Sequence, residues 1–160
     1  VKLTLIIVLL VASFVAGCGK DNKEQTVTNL RTKQIKLQQL RNVLDELVQH
    51  KLEFDFFGIT SNGVDCLYFM QENGKLDLEF EAITQEQIPY LEKLRAFAAG
   101  KGFSVVDTTY GNKSEDDPST PAPVLRIETR STVEEAASIG EEIMKGVFKC
   151  NDSTNFELVP

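Results

Sequence analysis

The chain has 160 residues, 17 Lys and Arg against 24 Asp and Glu, and a formal net charge of −7. So acidic a surface argues against nucleic acid as a partner and against electrostatic docking on anionic lipid. With 42% hydrophobic residues the chain has the material for one packed core.

The first element is an apolar run, Leu3 to Val15, preceded by Lys2 and interrupted only by Thr4 and Ser13. It is shorter than the about 20 residues of a spanning helix and has the size of a secretory signal's hydrophobic region. The run ends in Val15-Ala16-Gly17-Cys18. This resembles the lipobox of bacterial lipoproteins, where small residues precede an obligatory Cys. The resemblance implies a signal peptide over residues 1–17, cleavage between Gly17 and Cys18, and covalent lipid on the Cys18 thiol. An ordinary secretory signal, or a buried apolar helix with an incidental Cys, is the competing reading. The resemblance also implies residence in the bacterial cell envelope, held to the membrane by lipid rather than by a transmembrane helix. Gly19 stands where inner-membrane lipoproteins commonly carry Asp, which implies the outer membrane, facing the periplasm, in a Gram-negative cell. Two or three acyl chains make a stable anchor, because each buried methylene contributes about 0.8 kcal/mol. Loss of residues 1–17 removes Lys2 and no acid, so 16 basic and 24 acidic residues remain, a net charge of −8. That charge suits a basic protein partner.

Residues 18–25 are short and polar, a tether that reaches about 25–29 Å when extended. Residues 26–160 are expected to form a single domain. From Thr26 the pattern is helical: Leu30, Leu37 and Leu44 recur every seventh residue, with Leu40 and Leu47 between them. Lys33 breaks a coiled-coil seam, so packing on the protein's own sheet is the expected use. Three strands follow, Leu52–Ile59, Val64–Gln71 and Leu76–Ala82, joined at Ser61-Asn62-Gly63 and at Glu72-Asn73-Gly74-Lys75. Asn-Gly between apolar runs is a strong hairpin signal, since the turn needs positive φ.

Thr84-Gln85-Glu86-Gln87 reads as a capping box for a helix with Ile88, Leu91, Leu94 and Phe97 or Ala98 on one face. Gly100 and Gly102 end it. Strands are predicted at Phe103–Tyr110 and Val124–Thr129, around an acidic, Pro-rich loop expected to be mobile. Ser131-Thr132-Val133-Glu134 is a second candidate capping box, followed by a helical pattern through Phe148 and a last strand over Asn155–Val159. The order α-βββ-α-ββ-α-β predicts an α+β fold with a mainly antiparallel sheet and helices packed on it. This order resembles the type III secretion chaperone-like fold, whose members bind protein segments. The resemblance is one of element order, and a fold does not fix a function.

No motif for catalysis stands out. His50 is the single histidine, with no second ligand at zinc spacing and no nucleophile motif pointing to it, so neither a metal nor a cofactor is expected. Asp77, Glu79 and Glu81 alternate along a strand and share one face. Alternation alone accounts for them as the wet face of a half-buried strand, and a carboxylate pair for glycoside hydrolysis is the chemical alternative. Glu115-Asp116-Asp117 lacks the spacing of a calcium loop. Cys66 and Cys150 are either a disulfide, permitted by export, or two separate buried thiols.

An apolar excess is more informative. Phe57 and Ile59 face away from Leu52, Phe54 and Phe56 by alternation, and Tyr68 and Met70 add apolar groups to a second face. Either another element covers that face, or a bulge shifts the register, or Phe57, Ile59, Tyr68 and Met70 form a partner-binding patch. The leading expectation is a membrane-tethered, non-enzymatic protein-binding module. Its sharper form is an immunity protein against an antibacterial toxin. A cell-wall or lipid-directed enzyme using the strand carboxylates, and an accessory lipoprotein of an envelope machine, are the other readings.

Overall fold

In the computed structural model, which describes residues 33–160, a short strand β1 (Gln34–Ile35) opens the fold. After a 3-10 turn over Leu37–Gln39, α1 (Leu40–Val48) leads to β2 (Phe56–Thr60), β3 (Leu67–Glu72) and β4 (Lys75–Glu81). Then come α2 (Ile88–Lys101), β5 (Ser104–Thr108), β6 (Val124–Ser131), α3 (Val133–Gly146) and β7 (Phe156–Val159). The signal peptide, Gly17 and Cys18, the tether and the first residues of the predicted N-terminal helix lie outside the described residues.

The fold is α+β, and the seven strands form one sheet in the order β1-β7-β2-β3-β4-β6-β5, each neighbouring pair antiparallel. The expected hairpin at Asn73-Gly74 sets its middle. Both residues have positive φ, 53° and 73°, the pair of left-handed conformations that matches the twist of the flanking strands.

One face of the sheet carries the core. Phe57, Ile59, Leu67, Phe69, Leu78 and Phe80 are fully or almost fully buried there. Leu40 and Leu44 of α1, Leu94 and Ala98 of α2, and Ile143 and Met144 of α3 join the same cluster. Gly140 brings α3 close: a Cβ there would stand 2.7 Å from Phe69 Cζ and 3.1 Å from Leu40 Cδ2.

Several boundaries differ from the sequence reading, each for a local reason. The predicted N-terminal helix starts only at Leu40, because Gln34 and Ile35 are extended and pair with Glu157 and Phe156. The first long strand starts at Phe56 instead of Leu52; residues 53–55 are exposed and irregular. Its link to β3 is a wider loop organised by the buried Asp65 rather than a tight turn. The Asp65 carboxylate accepts from Thr60 Oγ1 at 2.7 Å, from Ser61 N at 2.8 Å and from Asn62 N at 3.2 Å.

Gln87 does bond back to Thr84 N, at 2.9 Å, yet α2 begins one residue after Gln87, whose Nε2 reaches Gly63 O at 3.2 Å. At α3 the capping box is Thr132 with Glu135, one position later than read from the sequence. Ser131 still belongs to β6, where its buried hydroxyl donates to Leu76 O at 3.0 Å. The acidic loop, expected to be mobile, is tied to the α2 approach by Glu115 N to Ile83 O at 2.9 Å and Gln85 N to Asp116 Oδ2 at 2.7 Å.

Candidate functional site

The second face of the sheet carries no helix among the described residues, and the register decides which side chains it presents. Phe57 stands opposite Phe69 and Ile59 opposite Leu67, so both belong to the core face, where they are 0% exposed. The expected patch is corrected accordingly: Phe57 and Ile59 are not on it, whereas Tyr68 and Met70 are on the open face. Phe56, opposite Met70, takes the place given to Phe57. The irregular stretch 53–55 resets the alternation between Leu52, which is buried, and β2.

On the open face the rings form a row. Phe54 stacks on Phe56 with centroids 5.5 Å apart, and Phe56 lies 6.4 Å from Tyr68. Tyr68 lies flat over Gly58: a Cβ at that position would come within 2.9 Å of two ring carbons. The glycine is what lets the ring settle against the sheet.

Beside the rings run the strand carboxylates, and they are not simply wet. Asp77 is 2% and Glu79 4% exposed. Asp77 accepts from Arg126 Nη2 and from the backbone N–H of Arg130, both at 2.9 Å. Glu79 Oε1 accepts from the Tyr110 hydroxyl at 2.8 Å and lies 3.7 Å from Arg126 Nε, a buried group with no hydrogen-bond acceptor. Glu81 accepts from Asn112 Nδ2 at 2.9 and 3.1 Å. Burial raises the Glu79 carboxyl above the usual range, and the Tyr110 hydrogen bond and Arg126 only partly oppose it. Burial and the bond to Glu79 push the Tyr110 phenol up to about 12. Burial likewise raises Tyr68 above its ordinary value.

These groups enclose a cavity of 390 Å³, walled by Phe56, Tyr68, Met70 and Tyr110 and by the carboxylates Glu79 and Glu81. Its size is at the lower end of the about 300–1,000 Å³ of small-ligand sites. Tyr110 and Asn112 reach it from beyond β5, and nothing in their local sequence signals this. The apolar excess on the second face and the alternating carboxylates of Glu79 and Glu81 are the sequence signals that pointed here.

The remaining sequence candidates lie elsewhere. His50, exposed at the end of α1, has Nδ1 3.2 Å from Asp55 Oδ1. Asp117 accepts from Ser119 N at 3.0 Å and Thr120 Oγ1 at 2.7 Å within its own loop. Of the two readings of Cys66 and Cys150, the structure has the separate thiols, and both are free. Cys66 follows Asp65 in the chain, and residues leading into a strand alternate sides. Cys150 Sγ faces Asp65 Oδ2 at 3.4 Å, whereas Cys66 interacts with Tyr68 on the open face. Burial pushes each thiol up to about 11.

Compared with known proteins, the chain matches no protein-family model, no curated protein and no solved structure.

Proposed function

We propose that this chain is a non-enzymatic protein-binding module, tethered to a membrane of the bacterial envelope through lipid on Cys18, with the open sheet face as its contact surface. The observation that carries the reading is the row Phe54, Phe56 and Tyr68 beside a concave site, on a sheet face over which no helix lies among the described residues. Aromatic groups around a recess serve as anchor points for partner side chains. A tether adds to this by raising the effective concentration of the domain near a membrane-bound target. The acidic surface favours a basic partner, which an immunity protein facing a basic toxin would meet. The second reading is an envelope-directed enzyme. Glu79, whose carboxyl burial raises above the usual range, next to Glu81 in a cavity favours it.

The test is affinity capture of the lipidated protein from its own cells after brief crosslinking, beside a Tyr68→Arg, Met70→Glu variant checked for native circular dichroism. A partner of about equal amount with the wild type, and its loss with the variant, is expected. An empty capture, or a partner held equally by the variant, overturns the contact surface. Cys18→Ala is expected to leave unprocessed or released protein, and wild-type fractionation would overturn the anchor.

A further inference from the structure

The cavity on the open face has walls of two different kinds. Phe56 and Tyr68 stand on one side, on β2 and β3; the carboxylates of Glu79 and Glu81 follow on β4, with Tyr110 beyond them, bonded to Glu79. No cationic side chain lines it among the described residues. The nearest guanidinium groups are already engaged. Arg126 spans Asp77, Glu72 and Glu79, and Arg130 joins Glu72 and Asp77. Around the cavity, then, the carboxylates of Glu72, Asp77, Glu79 and Glu81 share two guanidinium groups, and Glu81 has only the neutral Asn112 amide.

Glu79 sharpens the point. It is 4% exposed and lines the cavity, yet its Oε2 takes no hydrogen bond from any described residue. A donor entering the cavity therefore finds the second oxygen of that carboxylate unused, since the Tyr110 hydroxyl takes only Oε1. Rings on one wall favour a cation by their negative faces, and carboxylates on the other favour a forked donor. A planar guanidinium satisfies both at once, since it stacks on rings and donates in a fork; a compact, strongly hydrated ammonium does so less well.

We infer that the cavity between Tyr68, Tyr110, Glu79 and Glu81 is the socket for an arginine side chain of a protein partner. The inference rests on the protein-binding reading of the open face and names its anchor. The guanidinium enters beside the Tyr68 ring and donates to Glu79 Oε2 and Glu81, while its methylenes lie against Phe56 and Met70. The net acidity of the chain supplies long-range attraction for the same kind of partner.

The molecule carries its own reporter. It has three tyrosines and no tryptophan, and two of the three, Tyr68 and Tyr110, line the cavity. The third, Tyr90, packs against Phe148 with ring centroids 4.9 Å apart. The full-length lipidated chain, labelled with 3-fluorotyrosine and held in detergent, would be followed by fluorine NMR. The probe is N-acetylarginine methylamide, and its uncharged isostere N-acetylcitrulline methylamide is the control. We expect saturable shifts of the Tyr68 and Tyr110 resonances with the arginine probe in the millimolar range, a still Tyr90, and at least tenfold weaker response to citrulline.

Glu81→Gln should weaken the arginine probe by about fivefold, the upper range for an exposed charge pair, and Tyr68→Leu by about threefold through the lost ring. A silent titration, or equal response to citrulline, overturns the inference. Agmatine binding far more tightly than the blocked amino acid overturns it too, since the cavity would then be built for a free small cation. Capture of a partner with a silent titration rejects the arginine socket and leaves the binding module standing. A saturable arginine response with an empty capture rejects the module, and with it a partner's side chain as the occupant.

Discussion

Two glycines inside helices offer a controlled comparison of packing and propensity. Gly140 in α3 faces the core, and a Cβ there would stand 2.7 Å from Phe69 Cζ and 3.1 Å from Leu40 Cδ2. Phe69 is fully buried and stacked on Phe57 at 5.4 Å, so it has little room to retreat. Gly100 in α2 is exposed, and a Cβ there would meet nothing within 4 Å. In a helix interior alanine is favoured over glycine by about 1 kcal/mol, somewhat less near an end. Overpacking a filled core costs about 1–3 kcal/mol. Gly100→Ala should therefore raise stability by up to about 1 kcal/mol, and Gly140→Ala should lower it by up to about 2 kcal/mol once the propensity gain is subtracted. Propensity largely cancels between the two, so their difference reads the overpacking itself. Urea unfolding with a shared m-value would measure it. Equal shifts of the two midpoints would refute the close approach of α3 to the sheet.

Three further expectations follow from the site and the core. Phe57→Ala should cost about 3–5 kcal/mol as a fully buried ring, whereas Phe56→Ala on the open face should cost about 1 kcal/mol; the reverse order in urea unfolding would place the register one residue out. Asp65 and Glu79 should have opposite pH signatures. Burial alone would raise Asp65, but hydrogen bonds from Ser61, Thr60 and the Ser61 and Asn62 backbone outweigh it and hold the carboxyl low. Its stabilisation is then present above the unfolded value of about 4 and fades as the pH falls through the folded one, so the deficit of Asp65→Asn should shrink in acid. Glu79 is raised, so the wild type should lose stability as the pH climbs from about 4.3 through the folded value, and Glu79→Gln should remove that part of the slope; an unchanged slope in pH-resolved unfolding would contradict its burial. In a Cys18→Ala background, Cys66 and Cys150 should react with a disulfide reagent slowly when native and rapidly in urea, and immediate native reaction would contradict their raised thiols.

The parts of the fold written in local sequence were legible, and the parts made by distant segments were not. Asn73-Gly74 declares its turn because the needed φ values belong to those residue types, and the alternation over residues 75–82 assigns Leu76, Leu78 and Phe80 to the core. In Leu52–Ile59 aromatic residues fall on both parities. The chain breaks its extended run at residues 53–55, and no periodicity reveals where the count restarts. The capping box at α3 was misplaced by one residue because Ser131 and Thr132 are both competent caps, and the choice depends on Ser131 reaching Leu76 O. The same limit hid half of the site. Asp77 and Glu79 look solvated along their own strand and are buried by Arg126, Tyr110 and the backbone of Arg130, which arrive 31 to 53 positions later.

The place of β7 has a consequence for the order of assembly. The strand lies between β1 and β2, so Val159 pairs with Gly58 about a hundred positions earlier, and Gln34 pairs with Glu157. The early strands therefore cannot complete that side of the sheet until Phe156 to Val159 have been made and enter the gap. A polypeptide made from its N-terminal end remains incompletely folded until β7 arrives. A version cut before Phe156 should keep its first hairpin yet leave β1 and β2 without the strand that joins them.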